Sequence, residues 1–303
     1  MRIWAILPIL GFVAAGTPLL AQSASPPAPD TPAESVTVTA TPLPGRDAVD
    51  EFIYAYPTQV RTTEKIARWR IGICPTVQGI APRFATFITT RLKVIAKNAG
   101  APVNDDPKCR SNIEILFTNT PQAVGDLLRK DKWAYLGYFD NFGQADRLAK
   151  VSHDIQAWYV TATAGDRGFM RVDNPRGDFL SGMNDGRVFF AGNGGRLDNG
   201  VTSSLYNVII VADLTKLGDY GVGSLADYIA MLALSQPKSF DACWEVPSIT
   251  NLLTKDCDRK TATISDNDTR FLYGLYKMNA GYSVFQQRSE IRYYMEHRAA
   301  AKR

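Results

Sequence analysis

Six residues in this 303-residue chain stand out for their chemistry: four cysteines and two histidines. The cysteines are Cys74, Cys109, Cys243 and Cys257, and no two of them show the C-x-x-C spacing that is typical of zinc sites. Four cysteines allow three complete pairings. Pairing of neighbours predicts disulfides between Cys74 and Cys109 and between Cys243 and Cys257. Free buried thiols are the alternative.

The histidines are His153 and His297. His153 precedes Asp154 next to a predicted strand, and the two side chains suit an acid–base pair. No positioned nucleophile accompanies them, so a surface histidine, or one whose hydrogen bonds are satisfied within the fold, is the alternative interpretation. A glycosidase would need only two carboxylates, but the spacing of the 30 acidic residues selects no pair. The chain has no P-loop or dinucleotide-binding fingerprint, and we predict no cofactor.

Apolar spacing predicts the elements that position these residues. A strand at 68–73, a helix from Pro82 to Gly100 and a strand at 113–118 form a βαβ unit. Such a unit places the end of its first strand and the start of its second at opposite edges. A Cys74–Cys109 bridge therefore requires a bent or continued strand near Cys74. The further predictions are a helix at 121–132, strands at 156–162 and 205–211, a glycine-rich hairpin and loop at 165–200, and helices from residue 223 onward.

Three patterns follow one another in the last third of the chain. An S-x-x-D pair, Ser224 and Asp227, opens a predicted helix at 225–235, and P-S-I-T follows at 247–250. I-S-D-N-D at 264–268 then leads into L-Y-G-L-Y at 272–276, within a predicted helix at 265–277. In this order the pieces resemble zincin metallopeptidases of the matrixin type. That family has an H-E-x-x-H active-site helix, a P-S-I-M type turn and a closing helix. Two ordinary amphipathic helices are the alternative interpretation.

The resemblance fails at the residues that would do the chemistry. It places the two zinc-binding histidines at Ala226 and Ala230, the general base at Asp227 and a third ligand near Gln236. Alanine has no lone pair to donate, and zinc sites need about three protein ligands. We therefore expect a zincin-like α+β (α/β) fold with a mixed sheet, a βαβ start and a C-terminal helical subdomain, without a metal. We interpret Asp227 as the partner of Ser224 at the helix start.

A second resemblance covers roughly residues 60 to 280. The segments 65–69 and 111–117, together with the last-third helices, resemble a family of exported alphaproteobacterial proteins. This resemblance implies export but no reaction.

The first residues predict an export signal. Arg2 is followed by an apolar run to Ala21 and small residues at 21, 23 and 24, so residues 1–21 are interpreted as a signal peptide. An uncleaved anchor is the alternative. Prolines at 26, 27, 29, 32, 42 and 44 favour a flexible linker, assigned to 22–60. A single domain at 61–282 and a C-terminal helix or tail at 283–303 complete the predicted organisation. No second apolar span follows.

Composition narrows the function classes. The chain is 45% apolar and 21% charged, which excludes a wholly disordered or polytopic membrane protein. Its net charge of +4 is too balanced to indicate nucleic acid. We expect an exported, periplasmic or secreted protein that is non-catalytic and binds a peptide, a glycan or an envelope protein. The alternative is an exported hydrolase with a non-zinc site that uses carboxylates or serine.

Overall fold

The computed structural model of the chain describes residues 45–165, 170–173 and 200–297. The predicted signal peptide, residues 22–44 of the predicted linker and most of the glycine-rich stretch at 165–200 lie outside these residues. Helices surround a mixed sheet, so the fold is α+β, as predicted. Among the described helices, none has the length and apolar character needed to cross a membrane.

The described elements are as follows. The helices are α1 (Arg46–Ala55), α2 (Pro82–Ala99), α3 (Pro121–Asp131), α4 (Phe142–Ala149), α5 (Val222–Leu234), α6 (Asp266–Lys277) and α7 (Val284–His297). The strands are β1 (Gln59–Val60), β2 (Lys65–Ile66), β3 (Arg68–Trp69), β4 (Pro75–Gln78), β5 (Ile113–Thr118), β6 (Ile155–Gly165), β7 (Met170–Val172) and β8 (Val201–Asp213). Short 3-10 helices lie at Trp133–Leu136 and Ile249–Asn251.

The main sheet has the order β4-β5-β8-β6-β7, and β3 adds a short pairing to β8. β3, β4, β5 and β8 run parallel, whereas β6 runs antiparallel to β8 and β7 antiparallel to β6. Central β8 is buried along nearly its whole length, as expected for a strand covered on both faces. β1 and β2 pair separately.

The first strand of the βαβ unit is β4, which lies farther along the chain than the predicted strand at 68–73. The expected strand at 68–73 stops after Trp69, because Ile73 pairs with Val103 in the loop after α2 instead of extending the strand. Pairing with β5 starts only at Pro75. Cys74 therefore precedes its strand and lies at the same sheet edge as the start of β5. This is the bent chain that the Cys74–Cys109 pair requires.

Both predicted disulfides are confirmed. Cys74 and Cys109 are bridged with Cα atoms 6.0 Å apart, and Cys243 and Cys257 with Cα atoms 5.5 Å apart. No cysteine is left free. Paired cysteines are compatible with an oxidising compartment such as the periplasm or the exterior.

The folded part begins earlier than the predicted boundary at residue 61. Apolar residues at helical spacing in α1 are buried, including Phe52 and Ile53. Phe52 packs edge-on against Trp244 and Phe271, so α1 belongs to the main core. The proline-rich composition ends at Pro44, and the linker assignment 22–60 is wrong from Arg46 onward.

The C-terminal helices also belong to the main core. Ile291 and Met295 of α7 are buried there, so residue 282 is not a boundary of the hydrophobic core. Buried Gln287 accepts a hydrogen bond from the Ile66 backbone and donates one to the Ala280 carbonyl. Gly274 allows α6 and α7 to approach each other closely, since a Cβ at this position would lie 3.1 Å from the Ile291 backbone.

Candidate functional site

Three of the four positions that the zincin resemblance singled out, Ala226, Asp227 and Ala230, lie in a packed helix contact. Ala226 and Ala230 are fully buried on α5, which packs against α2 and α6. The carboxylate of Asp227 receives two hydrogen bonds from Arg91, at 2.6 and 2.9 Å. Its Oδ2 also accepts the backbone N–H of Ile264 at 2.8 Å. Asp227 thus ties α2 and the chain before α6 to α5.

The predicted helix-start role of Asp227 is wrong. α5 begins at Val222, its N-cap is Gly221, and no side chain caps it. The S-x-x-D pattern begins two residues inside the helix, and Asp227 points to Arg91 instead of the helix end. Gln236 does not lie in this contact but lines a cleft on the molecular surface. Within the described ranges, no group of three or more His, Cys, Asp or Glu side chains is arranged to hold a metal ion.

That cleft, here called the basic cleft, has a volume of about 610 Å³. This volume falls in the range of small-molecule sites. Three stretches far apart in sequence form its walls. Its lining residues are Thr58, Gln59, Val60, Arg61, Leu136, Gly137, Tyr138, Gln144, Arg147, Leu148, Lys150, Ser152, His153, Gln156, Ala157, Trp158, Tyr159, Thr161, Gln236, Pro237, Lys238 and Phe240.

Backbone pairing fixes two of the walls to each other. Pro57 and Pro237 form an isolated antiparallel bridge. Thr58 donates its N–H to the Gln236 carbonyl at 2.8 Å, and Lys238 donates to the Tyr56 carbonyl at 2.7 Å. The chain after α1 is thereby held against the chain after α5.

The floor of the cleft depends on a glycine. Gly137 has a φ of +89°, which favours glycine. A Cβ at this position would lie 2.5 Å from the carbonyl oxygen of Tyr159 on β6. The Tyr159 hydroxyl in turn donates to the Leu232 carbonyl at 3.0 Å, which joins β6 to α5. Burial raises the pKa of the Tyr159 phenol, which favours its neutral form.

The charges of the basic cleft have one sign. Arg61, Arg147, Lys150 and Lys238 line it, and no Asp or Glu occurs among its described lining residues. Arg61 pairs with Asp140 outside the lining. The other three make no side-chain hydrogen bond or ion pair within the described part of the chain. A cleft lined by one sign of charge concentrates the field and attracts anions.

Amides and aromatic rings complete the lining. Four glutamines face the cleft: Gln59, Gln144, Gln156 and Gln236. The Oε1 atom of Gln236 is buried and accepts no hydrogen bond from the described residues. Tyr138 is 36% exposed, and Phe240 is half-buried. The cleft therefore offers cations, amides and ring faces together.

His153 lies on the border between this cleft and a second one. Its Nε2 is 2.9 Å from Asp241 Oδ2, and its Nδ1 is 2.9 Å from Gln156 Oε1 and 3.1 Å from Ser152 Oγ. The ring also packs against Phe240 with centroids 5.1 Å apart. The predicted partner Asp154 is not its partner but pairs with Lys216 at 3.3 Å.

The second cleft has a volume of about 690 Å³ and shares the His153 wall. Its lining residues are Ser152, His153, Asp154, Ile155, Lys216, Tyr228, Phe240, Asp241, Leu253, Thr254 and Lys255. Burial raises the pKa of Tyr228, and the nearby carboxylates of Asp241 and Asp154 raise it further. Here the lysines and the carboxylates are mixed, in contrast to the basic cleft.

Comparison with known proteins identifies no relative of the chain. No protein-family model, no curated protein and no solved structure matches the chain.

Proposed function

We propose that the chain is an exported, non-catalytic binding protein that holds a negatively charged ligand of the cell envelope in the basic cleft. The observation that carries the proposal is the set of three cationic side chains, Arg147, Lys150 and Lys238, without a carboxylate partner in the described residues. Two disulfides are compatible with the predicted export. A peptide, a glycan or an envelope protein remains the class of partner.

Direct binding tests this proposal. The purified, oxidised protein is titrated by calorimetry with soluble acidic polymers, polyglutamate and oligogalacturonate, at low and high salt. We expect binding that weakens with salt, because screening acts on exposed charges. Charge reversal at Lys150 or at Arg147, one at a time, should weaken it. Lys130→Glu, an exposed α3 residue outside the cleft, is the matched control and should bind like the wild type.

Failure of both polymers to bind, at either salt concentration, would remove the proposal. Equal loss in the Lys130→Glu control would mean that the net charge of the protein, rather than the cleft, attracts the polymers.

A serine hydrolase is the second candidate, favoured by the contacts of His153. Ser152, His153 and Asp241 have the nucleophile, base and orienting carboxylate of such a site, at 3.1 and 2.9 Å. In that reaction His153 would take the Ser152 proton as Oγ attacks an ester carbonyl. It would return the proton to the leaving alcohol, and water would release the acid. We place it second because Gln156 Oε1 competes for the same ring nitrogen.

Hydrolysis of p-nitrophenyl acetate separates the two candidates. The binding proposal expects a rate no higher than that of the Ser152→Ala variant. A rate that falls at least tenfold in Ser152→Ala, with polymer binding unchanged, would favour the hydrolase.

We keep the relation to matrixin-type zincins as a proposal as well. The order of α5, the P-S-I-T turn and α6 supports it, with alanines where zinc ligands would stand. Added zinc should leave the melting temperature unchanged, because a ligand stabilises only a state that it binds. A zinc-dependent rise, lost in Asp227→Asn, would contradict this expectation.

A further inference from the structure

We infer that the ligand of the basic cleft is an acidic oligosaccharide, a chain of sugar rings that carry both anionic groups and free hydroxyls. The inference rests on the proposed binding function. Its first support is the placement of the charges. Arg147 and Lys150 stand on the wall at the end of α4, and Lys238 stands on the wall after α5. A ligand that engages both walls must present anionic groups at more than one point along its length.

The glutamine amides of the cleft need hydrogen-bond partners that an anionic group alone does not supply. A carboxylate or phosphate only accepts hydrogen bonds, and the Oε1 of Gln236 needs a donor. Gln236 lines the cleft, and its buried Oε1 atom has no described partner. The Nε2 of Gln156 makes no hydrogen bond within the described chain. Sugar hydroxyls both donate and accept, so they satisfy amide groups of either kind.

The ring faces supply the third support. The exposed ring of Tyr138 has the Arg61 guanidinium 5.7 Å from its centroid, and Phe240 offers a second, half-buried ring. Sugar rings have apolar C–H faces that pack on aromatic rings, while their rims carry the polar groups. Binding sites for small ligands combine such apolar surfaces with a few placed polar groups.

The sheet edge argues against an extended peptide. A peptide that adds to a sheet needs a free run of backbone groups along an edge strand. β6 borders the cleft, but β8 covers one of its sides, and β7 pairs with 162–164 on the other. Gly137 packs against the Tyr159 carbonyl farther along the strand. In the described residues the run of β6 that lacks a partner on its second side is therefore no longer than 155–158, which gives an added peptide few ladder hydrogen bonds.

A titration series tests the inference with the intact, oxidised protein. The probes are oligogalacturonate, phosphorylated mannopentaose, maltopentaose, polyglutamate and oligothymidylate, each matched in length. We expect one acidic saccharide to bind at least about tenfold more tightly than polyglutamate and oligothymidylate, and the neutral maltopentaose to bind more weakly than either of them. The better saccharide identifies carboxylate or phosphate as the anionic group.

Variants separate charge from sugar recognition. Tyr138→Ala and Gln236→Leu should weaken saccharide binding about tenfold and leave polyglutamate binding unchanged. Lys150→Glu should weaken both, and Lys130→Glu neither. Polyglutamate or oligothymidylate binding as tight as the saccharides, or saccharide binding unaffected by Tyr138→Ala, overturns the sugar inference and leaves the anion-binding proposal standing. No binding of any probe overturns both.

Discussion

Two regions of the molecule place cationic side chains in opposite circumstances. At the contact between α2 and α5, Arg91 gives two hydrogen bonds to Asp227, whose side chain is 1% exposed. In the basic cleft, Arg147 and Lys150 have no carboxylate partner among the described residues. A buried charge requires a partner inside the protein, whereas a cation at an open surface is solvated. The first arrangement therefore serves the fold, and the second leaves its charge available to a ligand.

The largest expected effect breaks the first region. Asp227→Ala leaves the Ile264 N–H and the partly buried Arg91 without their acceptor, and should lower the free energy of unfolding by about 3 kcal/mol. Denaturant unfolding measures it. Asp105→Ala removes an exposed partner of Lys97 and should leave the midpoint unchanged. Wild-type stability of Asp227→Ala would refute the structural role of this contact.

The next effect, of about the same size, concerns the wall of the second cleft that carries Phe240 and Asp241. Replacement of both Cys243 and Cys257 by serine should destabilise the protein by about 3 kcal/mol. The two cysteines are 14 positions apart, and the unfolded chain gains conformational entropy when the loop between them is no longer closed. Denaturant unfolding under non-reducing conditions checks it. Wild-type protein with reductant, which opens both disulfides, should lose more. An unchanged midpoint in the double variant would show that packing alone holds this wall.

A smaller effect is expected at the cleft floor. Gly137→Ala combines a positive φ with a clash against the Tyr159 carbonyl and should cost about 2 kcal/mol. Gly223→Ala is the matched control, because it lies in α5 with nothing within 4 Å of the added carbon. That change should be neutral or stabilising by up to about 1 kcal/mol. Thermal unfolding of the two variants decides the point, and equal melting temperatures would contradict it.

The smallest stability effect sharpens the comparison. Lys150→Glu should change the free energy of unfolding by no more than about 0.5 kcal/mol, because this exposed side chain has no partner to lose. The same variant should bind acidic polymers more weakly. A change at Lys150 should thus affect binding without affecting stability, whereas a change at Asp227 should lower the stability itself. A destabilisation of Lys150→Glu as large as that of Asp227→Ala would erase the distinction between the two regions.

Periodicity predicted much of the fold. The spacing of apolar residues placed α2 and β5 correctly, and Gly100 ends α2 in the left-handed conformation, as its position suggested. α1 was missed because prolines precede it closely, although its buried residues at 48, 49, 52 and 53 have helical spacing. The strand after Trp69 was misplaced because a tertiary pairing with Val103 competes with local strand preference.

The candidate site was mostly beyond the reach of the sequence. Its walls come from residues 58–61, 136–161 and 236–240, and no local motif links them. His153 was identified as a chemical candidate, but its acidic partner lies 88 residues away instead of next to it. Asp227 looked like a cap because capping patterns are local, whereas its true partner Arg91 is 136 residues distant. Gln236 was singled out by the resemblance, and the structure places it in the basic cleft instead of beside Ala226.

The pairing of Pro57 with Pro237 has a consequence for the order of folding. The hydroxyl groups of Tyr56 and Ser235, 3.0 Å apart in the same joint, belong to residues separated by 179 positions. Closing so large a chain loop lowers the conformational entropy before the contacts that stabilise it have formed. Such long-range contacts therefore form slowly. The two walls of the cleft can therefore meet only after α5 has been synthesised. A chain that is still emerging, or one truncated before residue 236, has no complete cleft.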